Sequence, residues 1–239
     1  MSYLFIAAVA LLGSFIQSAS GFGYAILCMS LWPLVLPFHT ASIIEVLTAF
    51  AMVACIAIRL RRQINIRLLF WPALASMFSS TFGVFTLMAS TESFMRRILG
   101  GVLVCLSIYF IFFSQKVRLK PTWFTGIAAG LVSGFCGGLF NIGGPPMVAY
   151  FLSVTDDKLE YNATLQCYFC LTTIYIFTVH LAMGNITREV LQLSGMALAG
   201  VAAGTILGSR LFRRLSMDKI RKFVYLFMVM AGIALMITG

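Results

Sequence analysis

Two short segments carry the residue types from which an anion site could be built. Ser18-Ala19-Ser20-Gly21-Phe22-Gly23 and Gly134-Phe135-Cys136-Gly137-Gly138 through Gly143-Gly144-Pro145-Pro146 each interrupt a long apolar run. Glycine frees the backbone and proline removes an N–H, so a helix passing through either segment breaks. A broken helix exposes unpaired N–H groups and turns the positive end of a half-helix dipole toward the gap, which binds an anion without any cationic side chain. Ser18, Ser20, Tyr24 and Asn141 add side-chain donors beside the breaks. Gly21, Gly23, Gly143 and Gly144 supply backbone donors and close approach, and Gln166 and Thr164 are further hydrogen-bonding candidates. Close helix packing by small residues is the competing explanation for the same glycines.

Glu45 is the only carboxylate within an expected span, and an acid inside a membrane is a candidate for proton or cation coupling. Its place near the start of the span leaves a second reading, an acid that reaches interfacial water. Cys167-Tyr168-Phe169-Cys170 has the spacing of a redox pair. Two cysteines on an apolar helix also serve as plain packing residues. His180 lies near a span end and reads as structural. The sequence contains no zinc-ligand spacing, phosphate loop or Ser/His/Asp arrangement, so we expect no enzyme activity, no metal site and no cofactor.

These residues must be positioned by elements that live in lipid. Of the 239 residues, 61% are hydrophobic and only 10% charged, with a mean hydropathy of +0.99. Soluble domains carry about 25% charged residues. The net charge of +10 is better explained by cytoplasmic loops rich in Lys and Arg than by a nucleic-acid surface. The apolar N-terminus lacks a basic n-region and reads as mature membrane sequence.

Apolar stretches between charges give eight segments, at residues 3–38, 40–58, 68–90, 98–114, 122–154, 161–182, 190–209 and 223–238. The first and fifth are too long for one ordinary crossing of ~30 Å of hydrocarbon, and both contain a break. If both cross once, the 17 Lys and Arg divide almost evenly between the two sides. If both fold back, one side receives Arg59, Arg61, Arg62, Arg67, Lys116, Arg118, Lys120, Lys158, Arg210, Arg213, Arg214, Lys219, Arg221 and Lys222. The other receives only Arg96, Arg97 and Arg188. That asymmetry is the one a cytoplasmic face produces. It predicts about ten helical pieces with both termini on the non-cytoplasmic side.

An offset of 121 residues aligns Gly23 with Gly144, Leu31 with Leu152, Arg67 with Arg188 and Gly83 with Gly204, and sets Glu45 opposite Gln166. After a four-residue insertion, Arg96-Arg97 meets Arg221-Lys222. The expected fold is therefore an all-α polytopic membrane protein of two inverted repeats, residues 1–115 and 122–239, each a broken helical hairpin plus three transmembrane helices. Such repeats are the architecture of many secondary transporters.

Ser20-Gly21-Phe22-Gly23-Tyr24-Ala25 and Gly134-Phe135-Cys136-Gly137-Gly138-Leu139-Phe140-Asn141-Ile142-Gly143-Gly144-Pro145-Pro146 resemble the paired glycine motifs of the sulfite exporter TauE/SafE family, also called the 4-toluene sulfonate uptake permeases. The resemblance implies transport of sulfite, sulfonates, sulfoacetate or related organic acids across the bacterial inner membrane. The second motif departs from many relatives in running Gly-Gly-Pro-Pro where they have three glycines. The partners expected are a small anion, the lipid bilayer, a proton or sodium ion, and a second copy in a homo-oligomer. Two other functions fit the same features: a passive anion channel, and a membrane thiol–disulfide carrier using Cys167 and Cys170.

Overall fold

The computed structural model of the protein describes residues 2–112, 122–211 and 217–238. Lys116, Arg118, Lys120, Arg213 and Arg214 lie outside the described residues, as do the side chains of Ser20, Lys219, Arg221 and Lys222.

The described chain is helical, with no strand, and it is a multi-pass membrane protein. The first apolar run divides at Gly21–Gly23 into α1 (Ser2–Ser20) and α2 (Tyr24–Leu31). It is followed by α3 (Phe38–Arg59), α4 (Ile66–Ala89) and α5 (Glu92–Phe112). The second run divides at Asn141–Gly143 into α6 (Trp123–Phe140) and α7 (Gly144–Val154), followed by α8 (Lys158–Ala182), α9 (Arg188–Leu211) and α10 (Met217–Thr238). At 1.5 Å per residue, the 19 residues of α1 and 18 of α6 run roughly 27–28 Å, whereas the 8 of α2 and 11 of α7 are far shorter. Each hairpin thus has one long arm and one short arm.

One boundary differs from the sequence expectation. The span expected from residue 98 begins at Glu92, so Arg96 and Arg97 sit in the first turns of α5 and not in a loop. Arg96 pairs with Glu92 at 3.6 Å, the i,i+4 spacing that a helix brings together.

The helices that meet lipid are recognisable by what they leave outside. Phe78, Phe82 and Phe85 on α4 are 65%, 54% and 53% exposed, an outlay of apolar surface that fits hydrocarbon and not water. Among the described residues, six helices are long and apolar enough to cross a membrane, α3, α4, α5, α6, α8 and α9.

Inside, packing runs on small residues. The long arm α6 lies on α4, and Gly130, Gly134 and Gly138 bring its backbone against the carbonyls of Pro72, Ser76 and Ser80. The long arm α1 lies on α9, where Gly200, Gly204 and Gly208 face the carbonyls of Ala7, Leu11 and Phe15. The four-residue spacing aligns these glycines on one helix face and lets backbones approach, the small-xxx-small arrangement of membrane helices. A Cβ at Gly134 or Gly204 would overlap backbone oxygen of the partner helix. Around this frame α3 packs on α8, and α5 packs on α10 with Gly100 against Gly232.

Candidate functional site

At the first break the chain needs backbone that side chains disfavour: φ is +88° at Gly21 and +120° at Gly23, values open to glycine. The first bond inside α2 runs from the Leu27 N–H to the Gly23 carbonyl at 3.1 Å. The N–H groups of Gly23, Tyr24, Ala25 and Ile26 therefore have no acceptor within the helix. Gln17, four residues before the break, reaches over and takes the Tyr24 N–H on its Oε1 at 3.0 Å. Gly23, Ala25 and Ile26 line a cavity.

At the second break Asn141 is left-handed, with φ +60°, and its N–H closes α6 on the Gly137 carbonyl at 2.8 Å. Asparagine tolerates that conformation better than most residues. Its Nδ2 donates to the Ser42 carbonyl at 2.8 Å and to Ser42 Oγ at 3.0 Å, tying the break to α3. Its Oδ1 is buried and has no partner. α7 then opens with Gly144, Pro145 and Pro146. Because proline has no N–H, Gly144 alone among these three can donate. The two half-helix ends are therefore unequal, and α2 offers the richer set of backbone donors.

Both breaks border the same cavity, of about 70 Å³. A water occupies ~10–15 Å³ by this measure, so the space suits a few waters or a small ion. Its wall includes Gln17 from α1, Glu45 from α3, Ser76 from α4, Ser133 from α6, and Tyr168 and Thr172 from α8. The Tyr168 hydroxyl lies 2.7 Å from Ser76 Oγ and 2.8 Å from Ser133 Oγ, and Ser133 Oγ donates to the Gly143 carbonyl. This string joins α4, α6, α8 and the second break. Among the described residues, no Lys, Arg or His lines the cavity.

Of the residues expected from the sequence, Gly23, Asn141, Gly143, Gly144 and Glu45 line the cavity. Glu45 is 3% exposed, so it faces the interior and not interfacial water. Tyr24, Gly21 and Gln166 act one layer back. The Tyr24 hydroxyl donates to Thr48 Oγ1 at 2.6 Å, which fixes α2 to α3. Gln166 Nε2 donates to the Gly21 carbonyl at 3.0 Å and tethers the first break to α8, while its Oε1 is buried without a partner. Ser18 turns toward α9, beside Gly208. Thr164 Oγ1 accepts from the Asn65 N–H at 3.0 Å, away from the cavity.

Gln17, Ser76, Ser133, Tyr168 and Thr172 were missed in the sequence. The signal available was their polarity inside otherwise apolar spans, where every buried polar atom needs a partner. Cys167 and Cys170 are free thiols, three residues apart on α8, and neither lines the cavity.

The match to known families covers nearly the whole chain: residues 6–235 match the family described as sulfite exporter TauE/SafE. The chain belongs to the TauE/SafE family. Membership makes the protein a membrane transport protein of a sulfite and anion exporter group, and it covers both breaks and every residue named in the cavity wall. No curated protein and no solved structure matches the TauE/SafE chain.

Proposed function

We propose that the protein is a secondary transporter that moves a small anion, of the sulfite, sulfonate or sulfoacetate type or a related organic acid, across the bacterial inner membrane by alternating access. The observation that carries this reading is the convergence of two broken hairpins on one cavity whose donors are backbone N–H groups and neutral side chains. Such a site holds an anion through dipoles, and weakly enough to release it.

The mechanism calls for two units that move relative to one another, and we take these to be two inverted repeats. Support comes from the helix starts: adding 121 residues to the starts of α1, α2, α3 and α4 gives those of α6, α7, α8 and α9 to within one residue. α5 and α10 agree after the four-residue insertion. The packing has the same exchange symmetry, since α1 on α9 and α6 on α4 are counterparts under this offset. Both termini then lie outside the cytoplasm, and single cysteines placed there should react with an impermeant maleimide in spheroplasts.

The function is tested by flux into proteoliposomes, screened over sulfite, sulfoacetate, methanesulfonate, taurine and simple carboxylates, with and without a pH gradient. Saturable movement of at least one sulfur oxyanion is expected. Absence of flux for every anion would sink the proposal, and flux that never saturates would favour a passive channel.

A further inference from the structure

Glu45 is the feature of the cavity that an anion site does not explain. It is buried on α3 and lines the same cavity as Gly23 and Asn141 of the two breaks. Among the described residues, no Lys, Arg or His lines the cavity beside it. Among the described residues the only ion pair is Arg96–Glu92, on α5. The titratable groups around Glu45 are weak acids that are neutral in neutral water: Tyr24 and Cys28 from α2 and Tyr168 from α8. α9 and α5, also packed on α3, carry their charged groups Arg188, Glu189, Arg210, Glu92, Arg96 and Arg97 near their ends, and none lines the cavity.

A carboxylate and an anion cannot share a space of about 70 Å³ without strong repulsion, because like charges at contact in a poorly hydrated site disfavour each other's ionised form. We infer that each anion crosses together with one proton carried on Glu45, which makes net transport electroneutral. This inference rests on the transport reading above. The proton is taken from water on the entry side as the anion binds, and it returns to water on the exit side as the anion leaves. Loaded, the site holds a protonated Glu45 and one anion; unloaded, it holds the Glu45 carboxylate. Both forms carry one negative charge, so the membrane potential does no net work over the cycle.

The decisive probe is methanesulfonate, the anion of a strong acid, which carries no proton of its own at neutral pH; sulfite serves as the second probe. With purified full-length protein in liposomes, acid outside should drive uptake. One pH unit should support about a tenfold accumulation at one proton per anion. Trapped pyranine should record one proton entering per anion, and an inside-positive potassium diffusion potential should leave the rate unchanged. Glu45→Gln removes the charge from the unloaded form only. That variant should lose the response to the pH gradient and gain a response to the potential.

Probe flux without proton entry, flux driven by a sodium gradient in place of protons, or potential-driven uptake by the unsubstituted protein would each overturn proton coupling while leaving transport intact. Failure of both probes to move under any gradient would overturn the transport reading itself for sulfur oxyanions. The proton count is made on the unsubstituted protein, so a Glu45→Gln chain that fails to fold still leaves proton coupling itself decided.

Discussion

The Asn141 amide and Ser42 are joined by two hydrogen bonds, to the Ser42 carbonyl at 2.8 Å and to its hydroxyl at 3.0 Å. The left-handed residue at the second break is thereby pinned to the helix that carries Glu45 one turn further on. A pin of this kind lets the position of the break and the position of the carboxylate change together. Asn141→Gly keeps the backbone free to hold φ +60° and removes only the amide, at about 1–2 kcal/mol for two partly compensated bonds. Asn141→Ala loses the same bonds and adds roughly 1 kcal/mol of left-handed strain. Thermal unfolding in detergent should rank the chains wild type, Gly variant, Ala variant, and a reversed order of the two variants would contradict the pin.

Two glycines near the site should respond in opposite ways. A Cβ at Gly144 meets Phe169 at 3.5 Å and Phe22 at 3.9 Å, ordinary contacts, so Gly144→Leu should leave the protein folded and expressed while filling the cavity and abolishing uptake. A Cβ at Gly134 collides with the Ser76 carbonyl on α4. Gly134→Ala should separate α6 from α4 and cost roughly 1–3 kcal/mol of stability, visible as a lower melting temperature. Loss of folded protein from Gly144→Leu would mean that this glycine too serves packing.

Gln17 holds the Tyr24 N–H at 3.0 Å from inside the cavity wall. Gln17→Met has a similar shape and no acceptor. Leaving that N–H unpaired should cost about 1–3 kcal/mol, with a lower melting temperature and weaker anion uptake. Unchanged stability together with unchanged uptake would show that the bond carries neither function.

Replacing Cys167 and Cys170 together with serine should leave anion flux within about twofold of the parent, because neither thiol lines the cavity and small buried changes of this kind are usually tolerated. Flux lost in the double variant, and restored in neither single one, would revive the thiol–disulfide carrier.

Much of the architecture was legible because lipid imposes simple rules on a chain. Charge-free runs too long for one crossing, with Gly21, Gly23 and Gly143 to Pro146 in their midst, are enough to announce broken hairpins. The glycines of both breaks and Glu45 could be named for the same reason, as exceptions to an apolar pattern. The partners behind them could not be. Ser133 and Tyr168 are separated by 35 positions and Ser76 from Tyr168 by 92; only the packing of α4, α6 and α8 brings their hydroxyls within reach. Their repeat-related positions are not serine or tyrosine, so the 121-residue offset gave no warning. Arg96 was misplaced for a local reason: Glu92, one turn earlier, neutralises it and allows α5 to begin sooner than hydropathy suggests.

The glycine seams between α1 and α9 and between α6 and α4 have a consequence for how the protein is made. α1 leaves the ribosome long before α9, the neighbour on which it packs. Until then the α1 backbone that Gly200, Gly204 and Gly208 of α9 will meet has to rest against lipid or against an inserting chaperone. Substitutions along Gly200, Gly204 and Gly208 should therefore act during biogenesis, as chains that insert their segments and then fail to close α9 on α1.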